Sequence, residues 1–222
     1  MRAPGPPKPR RRRKPLDAPR VRLDVDERRA QLLALGLSLF GGRNYDEISI
    51  DDIAAEARIS KGLLYHYFGS KRGFYVATVR KAASGLLLQL GPDLSLPPSE
   101  RLSSGLGAYL TFVEAHAGAY VALMRSGTFA DPEVLEIVET TRAAIVHRIQ
   151  EEGLGIAGPR PVFRVAVKSF IGAVEAAALE WLERRDVPKE VLVTLLSEML
   201  VHAVTVASRL DPEAFVELKK RT

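Results

Sequence analysis

Four consecutive aromatic residues, at positions 65–68, lie in a part of the chain that is rich in cations. They cannot all be buried on one short helix, so at least two of them must face solvent. Lys61 and Lys71 flank the run and carry donors on stems long enough to reach phosphate oxygens. No Asp or Glu lies between Ala57 and Pro92, and six cations do: Arg58, Lys61, Lys71, Arg72, Arg80 and Lys81. Such a patch is typical of a surface that binds a phosphate backbone.

Two capped helices with a short turn between them would position these side chains. Ser49 predicts a helix start, with Asp52 three residues later as its capping-box partner, and Ser60 predicts the start of the next helix. Two short helices joined by a turn of this length form a helix-turn-helix, whose second helix enters the major groove of DNA. Helical spacing predicts five inward-facing residues: Ile53, Ala57, Ile59, Leu64 and Phe68.

The outward face of the second helix carries the predicted DNA contacts. Lys61 and two tyrosines offer donors to phosphate oxygens, and Gly62 permits a close approach of the helix backbone. His66 and Leu63 are candidates for reading base edges, Leu63 against a thymine methyl group. Lys71 starts the following helix, where free N–H groups favour an anion. The predicted DNA-binding residues are Ser49, Lys61, Gly62, Leu63, Tyr65, His66, Tyr67 and Lys71.

The segment from residue 49 to residue 71 reads SIDDIAAEARISKGLLYHYFGSK, and it resembles the DNA-binding signature of the TetR family of bacterial transcriptional regulators. The resemblance covers about residues 26–75. It implies an all-helical homodimer with a three-helix head and a larger ligand-binding core, whose last two long helices form a four-helix interface with the partner. Such proteins usually repress, and they release DNA when a small molecule spreads the two heads. Arg58 replaces a frequent turn glycine, so the turn either avoids left-handed geometry or holds it with strain.

The whole chain is predicted to be all-α, because helical spacing recurs throughout and no alternating strand pattern competes. Residues 1–22 form a basic arm, residues 23–70 the helix-turn-helix DNA-binding domain, and residues 71–222 the helical effector-binding and dimerisation domain. The arm holds six prolines and nine Lys or Arg against one Asp, which predicts disorder. It serves either as a solubilising tail or as a nonspecific DNA clamp.

Caps and prolines mark the helices of the larger domain. Asp131-Pro132-Glu133 combines a capping carboxylate, a proline at the first helical position and an acid in the first turn. After a helix from Lys71 to about Leu90, the predicted helices are Ser99–His116, Ala119–Thr128, Pro132–Glu152, Pro161–Arg185, Pro188–Arg209 and Pro212–Lys220.

Large apolar residues with a few polar groups concentrate in the middle of the chain, as either an ordinary core or a ligand cavity requires. A ligand there is expected to be largely apolar. Similarity to lipid-responsive members of the family implies an acyl or acyl-CoA compound, whose anionic end could meet Arg125, Arg142 or Lys168. The candidate ligand-binding residues are Tyr109, Phe112, His116, Tyr120, Met124, Arg125, Phe129, Phe170 and Glu175.

The last two long helices are apolar over more than one stripe, and one chain can bury only part of that surface. A homodimer interface would bury the remainder, whereas a thicker core would make it internal. The predicted interface residues are Val174, Ala177, Ala178, Trp181, Leu195, Leu196, Met199, Leu200 and Ala203.

Other classes of chemistry find no support in the sequence. The chain has no cysteine, and its four histidines form no close ligand pair, so neither a metal nor a cofactor is expected. No nucleophile with a base, carboxylate pair or cofactor loop indicates an enzyme. No signal sequence or spanning segment is evident, which predicts a cytoplasmic protein without a membrane partner.

The patterns predict a sequence-specific DNA-binding protein, and the resemblance implies a transcriptional repressor that leaves a palindromic operator when a small, mostly apolar ligand binds the core. The alternative is a nonspecific architectural protein that binds DNA through the basic arm, residues 1–22. Deleting the arm discriminates between the two, because a regulator would keep its operator specificity and an architectural protein would lose most of its binding.

Overall fold

The structure is a computed structural model that describes residues 25–91, 93, 95–125, 131–155 and 160–212. All regular structure within these ranges is helical, which confirms the predicted all-α class. The elements are α1 (Val25–Gly42), a 3₁₀ turn (Tyr45–Glu47), α2 (Ile50–Glu56), α3 (Lys61–Phe68), α4 (Lys71–Gln89), α5 (Pro98–Ala115), α6 (Ala117–Arg125), α7 (Pro132–His147), a π-helical turn (Arg148–Gly153), α8 (Pro161–Arg184) and α9 (Lys189–Leu210).

Serine side chains cap the starts of α2, α3 and α4. Ser49 forms both halves of the predicted capping box: its Oγ accepts from the N–H of Asp52 at 3.1 Å, and its own N–H donates to the Asp52 carboxylate at 2.8 Å. Ser60 and Ser70 each accept from the N–H three residues later, at 3.2 and 2.9 Å. Each bond satisfies a donor that no helical carbonyl reaches, which stabilises the helix start by about 1 kcal/mol.

The core of the head, which comprises α1 to α3, continues into the larger body. Helix α4 contributes four buried residues to it, and Val134 of α7 is completely buried in the same cluster. Apolar packing therefore does not stop at residue 70, where the DNA-binding domain is predicted to end. The buried residues of this core are Leu32, Leu33, Phe40, Ile48, Ile53, Leu64, Phe74, Tyr75, Val76, Val79 and Val134.

A second core lies among α5, α6, α8 and α9. Leu110 of α5, Ala178 of α8 and Leu196 of α9 are almost fully buried in it. Helix α4 borders both cores, since Leu86 and Leu90 near its C-terminal end pack against the second one. One helix therefore connects the packing of the head with that of the body.

One predicted helix ends differently in the structure, and the predicted end of another, Thr128, lies outside the described residues. Helix α7 ends at His147 and a π-helical turn follows to Gly153, where one continuous α-helix to Glu152 was expected. Helix α6 is described to Arg125. Residues 1–24, 126–130 and 213–222 lie outside the described residues, so the basic arm, Phe129 and most of the predicted last helix are not placed.

Helix α9 is the one helix within the described ranges that is long and apolar enough to cross a membrane, a test of length and composition alone. Leu192, Leu196 and Leu200 recur every fourth residue on its buried face. A second apolar stripe is exposed and consists of Val191, Leu195 and Met199. The helix is therefore apolar both towards its own core and towards the outside.

Candidate DNA-binding head and ligand cavity

The turn between α2 and α3 takes the left-handed geometry, the second of the two possibilities that the sequence leaves open. Arg58 has φ 53°. Its N–H donates to the carbonyl of Ala55 at 3.1 Å, and the N–H of Ile59 donates to the carbonyl of Ala54 at 3.0 Å. This pair of bonds is the Schellman arrangement that commonly ends helices with glycine. A side chain in the left-handed region costs roughly 1–2 kcal/mol, so Arg58 holds the turn at some strain.

Helix α3 presents one buried and one exposed face. Leu64 is almost fully buried, and the other predicted inward residues pack around it in the head core. Tyr65 is 48% exposed. Lys61, Gly62 and His66 are also exposed, whereas Leu63 and Tyr67 are half-buried. The predicted DNA contacts on α3 therefore lie on its solvent side or at the edge of that side.

Polar partners within the chain already engage three of the predicted DNA-binding side chains. The ammonium of Lys61 forms an ion pair with Asp51, and this hydrogen bond raises the pKa of the lysine. The Lys71 ammonium lies 4.1 Å from the ring centre of Tyr45, a cation–π contact. Ser49 uses its hydroxyl in the capping box. Lys61 would have to exchange Asp51 for a phosphate, while Lys71 is held against an aromatic ring.

A cavity of about 1370 Å³ lies below the head. Its lining includes residues of the head, such as Phe40 and Tyr45, and continues between α4, α5, α7 and α8 as far as α9. The volume exceeds the ~300–1,000 Å³ of a typical small-molecule pocket. Seven of the predicted ligand-binding residues line it: Tyr109, Phe112, His116, Tyr120, Met124, Phe170 and Glu175.

Arg125 does not fit the predicted ligand site. Its side chain is exposed, and its guanidinium forms an ion pair with Glu183 of α8 at 2.6 Å, away from the cavity lining. Lys168, the second residue predicted to bind the anionic end of a ligand, is also exposed, and its ammonium lies 3.7 Å from a carboxylate oxygen of Glu139. The prediction is corrected for both residues, because helical spacing does not reveal which side of the bundle a long cationic side chain faces.

Four polar side chains of the cavity lining form two hydrogen-bonded pairs, Tyr109 with Tyr120 and Arg142 with Glu175. The hydroxyls of Tyr109 and Tyr120 are hydrogen-bonded at 2.8 Å. Burial raises the pKa of Tyr109 well above its usual value and that of Tyr120 to about 12, so both stay neutral. Arg142 donates two hydrogen bonds to Glu175, at 2.9 and 2.7 Å, and a third to Glu139 at 2.6 Å. Arg142, the third residue predicted to bind the anionic end of a ligand, is therefore already held by two carboxylates.

Ion pairs that the sequence pattern does not reveal connect α4, the helix after the head, to α7. Arg72, at the start of α4, donates to both carboxylate oxygens of Asp131 at 2.7 and 2.8 Å. Glu133 accepts from Arg72 at 3.3 Å and from Arg80 at 2.9 Å. Asp131 also caps α7, because it accepts from the N–H groups of Glu133 and the following residue. The capping motif is visible in the sequence, but its partner 59 residues away is not.

Most of the predicted dimer residues lie inside the chain's own core. Trp181, for example, is 6% exposed, and its indole N–H donates to the carbonyl of Val187 at 2.8 Å. The prediction is corrected for five buried residues: Val174, Ala178, Trp181, Leu196 and Leu200. Ala177 and Ala203 are half-buried, and only Leu195 and Met199 of the predicted set are exposed. The sequence pattern located the apolar helices but not the faces that they turn inward.

The head and the helices around the cavity each match a known protein family. Residues 32–78 match the family described as "Bacterial regulatory proteins, tetR family", and residues 98–203 match "Tetracyclin repressor-like, C-terminal domain". A solved tetR-family transcriptional regulator from Streptomyces coelicolor is 33% identical, covers 89% of each chain and superposes with a TM-score of 0.80. The chain belongs to the TetR family. The first match contains α2, α3 and the start of α4, the elements that build the exposed face.

Two transcriptional regulators match over shorter stretches. The transcriptional activator FasR of Mycolicibacterium smegmatis is 30% identical over 125 residues, which is 55% of this chain and 57% of that protein. The transcriptional regulator HbdR of an Aromatoleum species is 33% identical over 104 residues, 46% of this chain and 45% of that protein. The chain thus spans about half the length of these relatives. FadR from Bacillus subtilis, solved with stearoyl-CoA, shares the fold at 16% identity and a TM-score of 0.65.

Proposed function

We propose that this chain is a sequence-specific DNA-binding transcriptional regulator whose affinity for DNA depends on a small molecule in the cavity. The observation that carries the proposal is the exposed face of α3. It places Lys61, Gly62, Tyr65 and His66 together on the solvent side of a helix that follows a short turn. This is the arrangement of a recognition helix, with donors for phosphates and a small residue for close approach. A regulator of this kind works in the cytoplasm, where the chromosome is.

The test is the affinity of the full chain for a DNA fragment selected from a random pool. Tyr65→Ala and Lys71→Ala should each weaken binding about tenfold, since a charge-assisted phosphate contact contributes on the order of 1.5 kcal/mol. Lys71→Ala should also lower the salt slope by about 1, because one fewer counterion is released. Arg164→Ala on α8 removes the same charge from an exposed site remote from the head and should leave affinity unchanged. The proposal fails if neither head variant binds more weakly than this control.

We further propose a homodimer that reads a palindromic operator. The exposed stripe of α9, Val191, Leu195 and Met199, supports it, because a helix that is apolar on two faces needs a second surface to cover the outer one. On α8, Gly172 and Ala176 are exposed, and nothing lies within 4 Å of a Cβ added at Gly172, so a partner helix could approach closely there.

A charge placed in this stripe tests the dimer. Leu195→Glu should convert the dimer to a monomer in sedimentation velocity and weaken operator binding, since two heads would no longer bind together. Leu88→Glu is the matched control, because Leu88 is 80% exposed on α4, outside the proposed interface. A Leu195→Glu protein that remains dimeric would refute this interface.

The effector we propose is mostly apolar, an acyl or acyl-CoA compound whose binding lowers the affinity for the operator. The size and apolar lining of the cavity support it, and so does the stearoyl-CoA bound by FadR, a neighbour in fold. We propose repression as the mode of regulation. A named relative is an activator, so the sign needs its own test. A reporter gene behind the selected operator should be less active when the chain is present and recover when an acyl compound is added.

A further inference from the structure

The charged residues that line the cavity are unevenly distributed along its length. The lining follows α4 from Tyr75 to Leu90, which is ~22 Å at the rise of an α-helix. We call the part beside the DNA-binding domain the head end, where the lining includes Asp46, Glu47, Arg72 and Asp131. The opposite part is the far end, where the lining includes Asp93, Arg101 and Arg148.

The head end is unfavourable for an anion. Among its lining residues, three carboxylates and one guanidinium give a formal charge of −2, and the ammonium of Lys71, over the ring of Tyr45, reduces the local negative charge by one. The guanidinium of Arg72 is also held by both oxygens of Asp131 and by Glu133. An anionic group placed there would meet the carboxylates of Asp46 and Glu47, whose combined charge exceeds that of the one nearby ammonium, and their repulsion would oppose binding. The aromatic rings of Phe40, Tyr45 and Tyr75 form the apolar part of the same end.

The middle of the cavity carries no net charge. Arg142 and Glu175 form a bidentate ion pair, and the two tyrosine hydroxyls satisfy each other. A hydrocarbon chain can pass these groups without breaking a hydrogen bond, whereas an anion would have to displace Glu175 from Arg142. The middle therefore favours the apolar part of an elongated ligand.

The far end has a formal charge of +1. Arg148 donates to the carbonyl of Leu87 at 2.5 Å, and Arg101 donates to the carbonyl of Leu96 at 2.6 Å. Leu87 lies on α4 and Leu96 precedes α5, so each guanidinium group is held by a backbone carbonyl and keeps its positive charge. Arg148 also begins the π-helical turn, a local distortion that recurs at functional sites.

We infer that the far end is an anion subsite in which Arg101 and Arg148 bind the phosphate or carboxylate of an amphiphilic effector, with its hydrocarbon tail directed along α4 towards the head. This inference rests on the proposed function, in which the cavity holds an apolar effector. An extended chain advances ~1.2 Å per bond, so ~18 bonds span the ~22 Å of lining. The tail then ends against Tyr45, whose ring makes the cation–π contact with the ammonium of Lys71.

The first test compares head groups on the full, unmodified chain by calorimetry. Palmitate and palmitoyl-CoA should both bind at least tenfold more tightly than hexadecanol, which has the same chain length and no charge. The advantage should shrink in 0.5 M salt, because screening weakens the anionic contact alone. If palmitoyl-CoA binds more tightly than palmitate, phosphate is the preferred anion, and if palmitate binds more tightly, carboxylate is. Equal affinity for hexadecanol and the two anions would overturn the inference.

Variants test the assigned residues. Arg148→Gln should lose about tenfold in affinity for palmitate, and Arg148→Lys should retain most of it, because the charge remains near the anion. Arg125→Gln removes an arginine that lies off the cavity and should have no effect. Melting temperatures measured in parallel report any damage from losing the bond to Leu87. If Arg125→Gln and Arg148→Gln weaken binding equally, the subsite is refuted.

A carboxylate pair tests the orientation. Asp93→Asn should tighten palmitate binding about fivefold, whereas Asp46→Asn at the head end should leave it unchanged. The reverse result would overturn the orientation and place the anion beside the head. DNA affinity of the same proteins separates this inference from the proposed function. A chain that binds its operator but none of the three amphiphiles refutes the subsite and the effector class, while the DNA-binding function stands.

Discussion

The DNA-binding head and the ligand cavity differ in how far apart along the chain their polar contacts lie. Each serine cap in the head spans three residues. In the cavity, Arg142 and Glu175 are 33 residues apart, and at the joint between the two regions Arg72 and Asp131 are 59 apart. The helix starts in and directly after the head are therefore set by short segments, whereas the polar contacts of the cavity form only when several helices are packed together.

The contact between α1 and α6 is where the largest effect on this arrangement is expected. A Cβ added to Gly118 would lie only 1.9 Å from the carbonyl oxygen of Gly41. Gly118→Ala should therefore force the two helices apart and destabilise the protein by about 3 kcal/mol, measured by urea unfolding. Gly105→Ala on α5 meets nothing within 4 Å and should raise stability by up to ~1 kcal/mol. Similar stabilities of the two variants would show that α1 and α6 do not pack this closely.

The second largest effect on stability is expected in the cavity, when Arg142 loses an ion-pair partner that is far from it in the sequence. Glu175→Gln leaves Arg142 without its main charge partner and should cost about 2 kcal/mol. This is less than for a fully buried pair, since the Arg142 side chain remains 24% exposed. Glu180→Gln, on the same helix, removes an exposed carboxylate that pairs with Arg184 and should not change stability measurably. Equal unfolding free energies for both variants would contradict the role assigned to Arg142.

A smaller, opposite effect is expected within the head. Arg58→Gly removes the side chain from a left-handed position, φ 53°, and should stabilise the protein by about 1 kcal/mol. Arg185 provides a second case, with φ 55° at the end of α8, but its ring contact with Trp181 would be lost on substitution. A thermal shift upward for Arg58→Gly, with DNA affinity retained, supports the strained turn. A downward shift would contradict it.

The ion pair between Arg72 of α4 and Asp131 at the start of α7 should give the smallest change, a pH dependence of the protein's stability. The hydrogen bond from Arg72 holds the pKa of Asp131 below its usual value of 3.8. The stabilisation is therefore complete above the unfolded pKa and is lost as the pH falls through the lower, folded value. Melting temperatures between pH 5 and pH 2 should decline less steeply for Asp131→Asn than for the unmodified chain. Parallel curves would show that the pair contributes nothing to stability.

The head was predictable in detail because its signals are local. The capping serines, the inward set around Leu64 and the exposed Tyr65 all follow from residue types within a few positions of each other. The fold class follows in the same way, from helical spacing. The left-handed turn at Arg58 was the exception, since only the backbone reveals which geometry the arginine adopts.

The cavity and the proposed dimer surface were predictable only in outline. Seven candidate ligand residues do line one cavity, and most of them are the large apolar and aromatic residues that the sequence concentrates in the middle of the chain. The sequence could not tell that Arg142 is held by two carboxylates, or that Trp181 and Leu196 face inward. Those facts depend on how α7, α8 and α9 rotate about their own axes, which apolar helices with more than one stripe leave undetermined.

The most direct measurement is a footprint on a selected DNA fragment, made with the full chain and with a chain that lacks residues 1–22. Because we propose that α3 recognises the DNA, both proteins should protect the same palindromic sequence, and the shorter one should lose only part of its affinity through the missing cations. The contrary result is a shortened chain that loses most of its binding and protects no preferred sequence. That outcome would place DNA binding in the basic arm and contradict recognition by the head.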